Sequence, residues 1–166
     1  MTDWKKVLFM GAIVLVFYAV IFVLAEYAAA GEIAKDGRFI AYDDGTVLDT
    51  KTKLMWAAKD NGSNINWADA KSYCEKYRGG GYDDWRLPTQ DELVGLFDGS
   101  KSRPAACNQT YKIHVTELID ISCFWLWTSV THDSSAAVFN FRYGERSSSP
   151  QSYVKNSRTL PVRSTK

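Results

Sequence analysis

Four basic side chains near the carboxy terminus, Arg142, Arg146, Lys155 and Arg158, are the residues whose type and spacing most suggest a binding task. They fall within seventeen residues, where Glu145 is the only acidic side chain. Guanidinium forks grip sulfate and carboxylate groups bidentately, and a cluster of like charge attracts polyanions over distance. The pattern therefore predicts an anionic polysaccharide as partner. Arg142 and Arg146 flank a Tyr143-Gly144-Glu145 turn and are expected to emerge near one end of a sheet. The polar run Ser147-Ser148-Ser149 then reads as a connector that returns Lys155 and Arg158 along a neighbouring strand.

Other reactive side chains make weaker constellations. His114 lies between Cys107 and Cys123, but the Cys-x6-His-x8-Cys spacing matches no familiar zinc set, and a structural zinc needs four ligands. His132-Asp133 sits among serines without the Gly-x-Ser-x-Gly elbow of a hydrolase. The pairs Asp43-Asp44 and Asp83-Asp84 lack the interleaved oxygen ligands of an EF-hand loop and read as turn formers. Arg86, close to Asp83 and Asp84, reads as half of an ion pair that fixes its loop. The expectation is a non-catalytic protein with no metal or cofactor, and nucleic acid is not an expected partner.

The elements that must carry these residues begin with a membrane signal. Residues 7–25 hold no charge and follow Lys5 and Lys6. At about 1.5 Å per residue such a run matches a bilayer's hydrocarbon thickness. Two readings stand: an uncleaved anchor, or a signal peptide cut after Ala30, where Ala28-Ala29-Ala30 offers a small-x-small site. The first predicts a single-pass inner-membrane protein with its domain on the periplasmic side. The second predicts a periplasmic or secreted one. Residues 31–36 read as a linker and 37–166 as one globular domain, aromatic enough to build a core.

Within that domain the charge is unevenly spread. Residues 31–98 carry nine Lys/Arg against thirteen Asp/Glu, and residues 99–166 carry nine against four. Three cysteines allow at most one internal bridge. Cys74 falls on an apolar helical stripe with Trp67, Ala70 and Tyr77, whereas Cys107 and Cys123 bracket a long polar stretch. The Cys107–Cys123 disulfide is therefore expected, with Cys74 left as a buried thiol.

Strands are predicted at 38–42, 46–49 and 54–57, the first two joined by an Asp43-Asp44-Gly45 turn. Asn66 caps a helix with Asp69 in the box position, and Gly79-Gly80-Gly81 stops it. Pro88 breaks the chain and Thr89 caps a second, short helix, with Glu92 completing a Thr-x-x-Glu box. Residues 99–120 read as a long loop with a turn of helix around 115–119. Further strands are expected at 124–128, 136–143 and 159–163. Pro161 confines the last to an edge or a bulge, and Trp125 and Trp127 share one face of their strand.

The run Trp67-Ala68-Asp69-Ala70-Lys71-Ser72-Tyr73-Cys74, followed by Gly80-Gly81-Tyr82-Asp83-Asp84-Trp85-Arg86-Leu87-Pro88-Thr89, resembles the Lcl C-terminal-domain family. Asp44-Gly45-Thr46-Val47, Leu54-Met55-Trp56, Trp127-Thr128-Ser129 and Val138-Phe139-Asn140-Phe141 extend the likeness over residues 37–163. The same order of motifs is similar to the formylglycine-generating-enzyme branch of the C-type-lectin-like fold. That likeness implies an α+β class: a compact domain with two helices and a small, mainly antiparallel sheet, here preceded by the N-terminal hydrophobic helix. The enzyme's late cysteine pair is absent, since no cysteine follows Cys123. The calcium-dependent sugar motifs of true C-type lectins are absent too, and related sequences often place a cysteine where this chain has Pro161.

In this reading Trp67, Asp69, Tyr73, Trp85, Arg86, Pro88, Thr89 and Glu92 are structural punctuation. The adhesin for which the family is named implies a carbohydrate-recognition role. A structural subunit of an envelope assembly, built by self-association or on another envelope protein, is the alternative. A divergent formylglycine-generating-type enzyme stands behind both.

Overall fold

The computed structural model describes residues 30–165. The hydrophobic segment at 7–25 lies outside them. Four strands, β1 (Glu32–Asp36), β2 (Phe39–Tyr42), β3 (Thr46–Asp49) and β4 (Leu54–Ala57), form an antiparallel meander. Turn chemistry sets its register. Gly45 takes φ +79°, and the Asp44 carboxylate accepts from the Thr46 backbone N–H and hydroxyl at 3.0 and 2.7 Å. Residues 32–36 are thus an edge strand paired with β2, and not a linker. Their charged, exposed side chains hid the strand, because an edge strand buries little.

Helix α1 (Trp67–Lys76) starts where the Asn66 side chain accepts from the Asp69 N–H at 2.9 Å. It buries Ala70 and Cys74 in a cluster with Leu87, Trp127 and Val138. A 3-10 turn at Gly79–Gly81 follows. Gly80 has φ +64°, and a Cβ there would meet Thr46 Cγ2 at 2.8 Å and Asp44 Oδ2 at 2.9 Å, so only glycine fits. Helix α2 (Gln90–Leu96) buries Leu93 and Leu96.

The segment expected to be a long loop contains a hairpin, β5 (Arg103–Ala105) and β6 (Asn108–Ile113). Its outer side chains are polar and Ile113 is buried, so no regular hydrophobic period marks it. β7 (Trp125–His132), β8 (Ser135–Asn140) and β9 (Glu145–Pro150) build an antiparallel sheet, with β10 (Ser157–Arg158) parallel to β7 on the far edge. β11 (Val162–Ser164) adds to β4 and leaves Pro161 outside the ladder, where its carbonyl accepts from Ala57 N–H at 3.0 Å.

The expected single small sheet is therefore replaced by three sheets, ordered β1-β2-β3-β4-β11, β10-β7-β8-β9 and β5-β6. About 40% of the described chain is strand. The C-type-lectin-like layout of two helices over one small sheet is overturned by that strand content. Two unforeseen elements explain much of the difference: β9, whose Ser-rich sequence looked like a connector, and the β5–β6 hairpin.

Two cores result. The larger joins the first sheet, α2 and one face of the second sheet through Trp56, Leu93, Leu126, Phe139 and Phe141. The smaller joins α1 to the opposite face through Cys74, Leu87, Trp127 and Val138. β7 is covered on both faces, so Leu126 and Trp127 are both fully buried.

Candidate functional site

The Trp67–Glu92 motif folds into a clamp anchored to the neighbouring strands. Arg86 extends the first sheet by a single bridge, exchanging backbone bonds with Val162 at 2.9 and 3.1 Å. Its guanidinium forks onto Glu92, with Nη1 to Oε2 at 2.8 Å and Nη2 to Oε1 at 2.7 Å. Glu92 Oε2 also accepts from the Thr89 N–H at 2.7 Å, while the Thr89 hydroxyl accepts from the Glu92 N–H at 3.2 Å. This closes the expected capping box. Arg86 therefore pairs with Glu92 rather than with its sequence neighbours Asp83 and Asp84. Asp84 instead takes Arg163, whose guanidinium lies 3.8 Å from the centre of the Tyr82 ring.

The remaining motif residues brace this clamp. The Pro88 carbonyl accepts from Ser129 N–H at 2.8 Å. The Trp67, Trp85 and Trp127 indoles donate to the carbonyls of Thr128, Gly79 and Ile65. Tyr73 and Tyr77 lie side by side, and Tyr77 meets Trp85 edge-on at 5.0 Å.

Cys107 and Cys123 are joined, with Cα atoms 5.3 Å apart, tying the β5–β6 hairpin to the entry of β7. Cys74 is the free cysteine. Burial pushes its thiol up to about 12, and its Sγ sits 3.1 Å from the Thr159 hydroxyl. His114 Nδ1 lies 2.6 Å from the Lys101 carbonyl oxygen, away from any ligand set with the bonded cysteines. Among the described residues no three His, Cys, Asp or Glu side chains gather as a metal site.

The structure separates the four basic candidates. Arg158 is 6% exposed; it donates to Ser122 Oγ at 2.7 Å and Asn64 Oδ1 at 2.6 Å beside the buried Asp60 carboxylate. It sits on β10, the edge opposite β9, because β10 pairs with β7 and does not return along β9. Lys155 is exposed in the β9–β10 connection. Arg146, on β9, is tied to Asp91 and Gln90 of α2. The expected continuous patch is therefore not formed, since sheet order sends its members to two edges.

Arg142 differs from the other three. Its guanidinium carbon lies 4.2 Å from the Tyr111 ring centre and 4.6 Å from that of Tyr143, the latter 55% exposed. Seven other arginines in the described residues donate side-chain hydrogen bonds to a carbonyl, a carboxylate or a polar side chain. Among the described residues, Arg142 alone has a guanidinium without such a bond. Tyr111 belongs to β6, the strand unseen in the sequence, so nothing local marks this pairing.

These features define a strand-rich, disulfide-tied domain organised around a Trp-Arg-Leu-Pro-Thr clamp. The chain belongs to the Lcl C-terminal domain family, whose model matches residues 45–163. No curated protein matches the chain. The matched range begins at Gly45, so β1 and β2 stand before it.

Proposed function

We propose that this is a recognition domain for anionic carbohydrate, carried outside the membrane, with Arg142 as its principal contact. The observation that carries the reading is the half-exposed guanidinium held between Tyr111 and Tyr143 with its N–H groups uncommitted among the described residues. Stacking orients the fork at little entropic cost, and a sulfate or carboxylate then receives two parallel charge-assisted bonds. Export is supported by the hydrophobic run at 7–25 and by the disulfide, a bond favoured in oxidising compartments. The reading needs no catalytic step.

Retention of the full chain on heparin-agarose tests it. Added salt weakens retention, because exposed charge interactions are screened within about 8 Å at physiological ionic strength. Arg142→Ala lowers affinity roughly tenfold or more, the range of a lost charged hydrogen-bond pair. Arg146→Ala changes little, since Asp91 already neutralises that side chain. Flow-through at low salt, or an Arg142→Ala variant that binds like the wild type, refutes the reading.

A further inference from the structure

A second site lies on the other side of the β7–β9 sheet from the main core, in a pocket of about 170 Å³. Trp125 and Tyr153 line it together with Ser147, Ser148, Ser149 and Ser157. Its apolar floor includes Val138. No charged side chain faces it.

Two observations set this pocket apart. First, three of the five tryptophans in the described residues donate their indole N–H to backbone carbonyls, and Trp56 is buried without a partner. Trp125 is the remaining one, and its N–H has no partner among the described residues although the ring lines a cavity. Second, the hydroxyls of Ser147, Ser148, Ser149 and Tyr153 likewise bond to no other described residue. Ser147, Ser148 and Tyr153 are exposed, so these groups are open to water and to a ligand that replaces it.

The walls are fixed. Ser147 and Ser149 stand opposite Val138 and Ala136 in the β8–β9 register, and Ser157 stands opposite Trp125 in the β10–β7 register. The crossing connection is pinned by Gln151 N–H to Ser134 O at 2.9 Å and by Trp67 N–H to Gln151 O at 3.0 Å. Tyr153 N–H closes a turn on Pro150 O at 2.9 Å.

We infer that this pocket binds one neutral pyranose ring. An aromatic face suits the ring's C–H side, and serine and tyrosine hydroxyls donate and accept as sugar hydroxyls do. The uncharged lining gives no counter-ion to a phosphate or an amino acid. The volume is below the roughly 300 Å³ at which drug-sized sites begin, so one ring enters at a time. This site is independent of the anion fork at Arg142, because its ligand carries no charge.

The test uses the ¹⁵N-labelled full chain in a detergent without a sugar headgroup. Methyl glucoside, methyl galactoside, methyl mannoside and N-acetylglucosamine are titrated separately while indole N–H resonances are followed. At least one sugar should shift a single indole signal saturably, in the millimolar range expected of so small a ligand. That signal is absent in Trp125→Phe. Tyr153→Ala, at a side chain 43% exposed and so tolerant of change, weakens binding roughly tenfold. Arg142→Ala leaves it unaltered, which separates this inference from the heparin reading. No shift with any of the four sugars, a shift in a different indole, or equal binding by Tyr153→Ala overturns it.

Discussion

Replacing Glu92 with Ala should cost the domain about 2 kcal/mol. Glu92 accepts two bonds from Arg86 and one from the Thr89 N–H, and its side chain is 17% exposed. The lost cap contributes about 1 kcal/mol. The ion pair contributes about 1 kcal/mol more, discounted because the Arg86 side chain is 41% exposed and water can take back its donors. For a domain of this size each kcal/mol moves the melting temperature by about 4 °C, so thermal unfolding of the full chain should fall by about 8 °C. Glu92→Gln keeps an acceptor for Thr89 and should lose about half as much. pH supplies a second axis. Burial pushes the Glu92 carboxyl up, but the Arg86 fork and the Thr89 N–H together outweigh it and hold the group below its ordinary 4.5. The unfolded chain then binds the proton more readily. The stabilisation is present above about pH 4.5 and is lost as pH falls through the depressed folded value. The advantage of wild type over Glu92→Gln should therefore shrink in acid. A loss below about 1 kcal/mol for Glu92→Ala, or a gap to Glu92→Gln that is constant with pH, refutes the clamp.

Asp60 should show the opposite slope. Burial raises its carboxyl above 3.8 despite the Ser122 and Gly62 N–H donors, so its contribution declines as pH rises from about 4 toward the folded value. The melting temperature of Asp60→Asn relative to wild type should accordingly rise over that window, and a flat difference counts against it. Reducing Cys107–Cys123, which spans 16 residues, should cost about 3 kcal/mol by melting temperature. Cys74 should stay silent to Ellman's reagent until the chain is denatured, when one thiol appears without reductant.

What could be read along the chain was whatever local chemistry decides. The caps at Asn66 and Thr89 depend on residues three positions apart, and both helices start where those residues place them. The Asp43–Gly45 turn and strands β3 and β4 likewise depend on neighbours. Elements on sheet edges escaped. β1 and β9 expose most of their side chains, so alternation has nothing apolar to alternate with. The ion pair expected at Arg86 forms with a residue six positions on. Asp83 and Asp84 are nearer along the chain, but the turn into α2 carries Glu92 back over the guanidinium.

The basic residues show why charge clusters in a sequence are poor guides to a surface. Arg158 is consumed in a buried network and Arg146 is neutralised by Asp91, while Arg142 is left poised by two aromatic rings. Only the strand order reveals which is which. A row of ring contacts runs from Arg142 to Trp125 through the buried Phe124. Arg142 lies 4.2 Å from the Tyr111 ring centre, Tyr111 is 5.3 Å from Phe124, and Phe124 is 6.1 Å from Trp125. A polysaccharide carrying both neutral rings and charged substituents offers a ligand group to each site. Salt divides them, because it screens the fork and leaves stacking nearly untouched. Binding of such a chain that survives at high salt should therefore disappear with Tyr153→Ala, whereas the salt-sensitive part should disappear with Arg142→Ala.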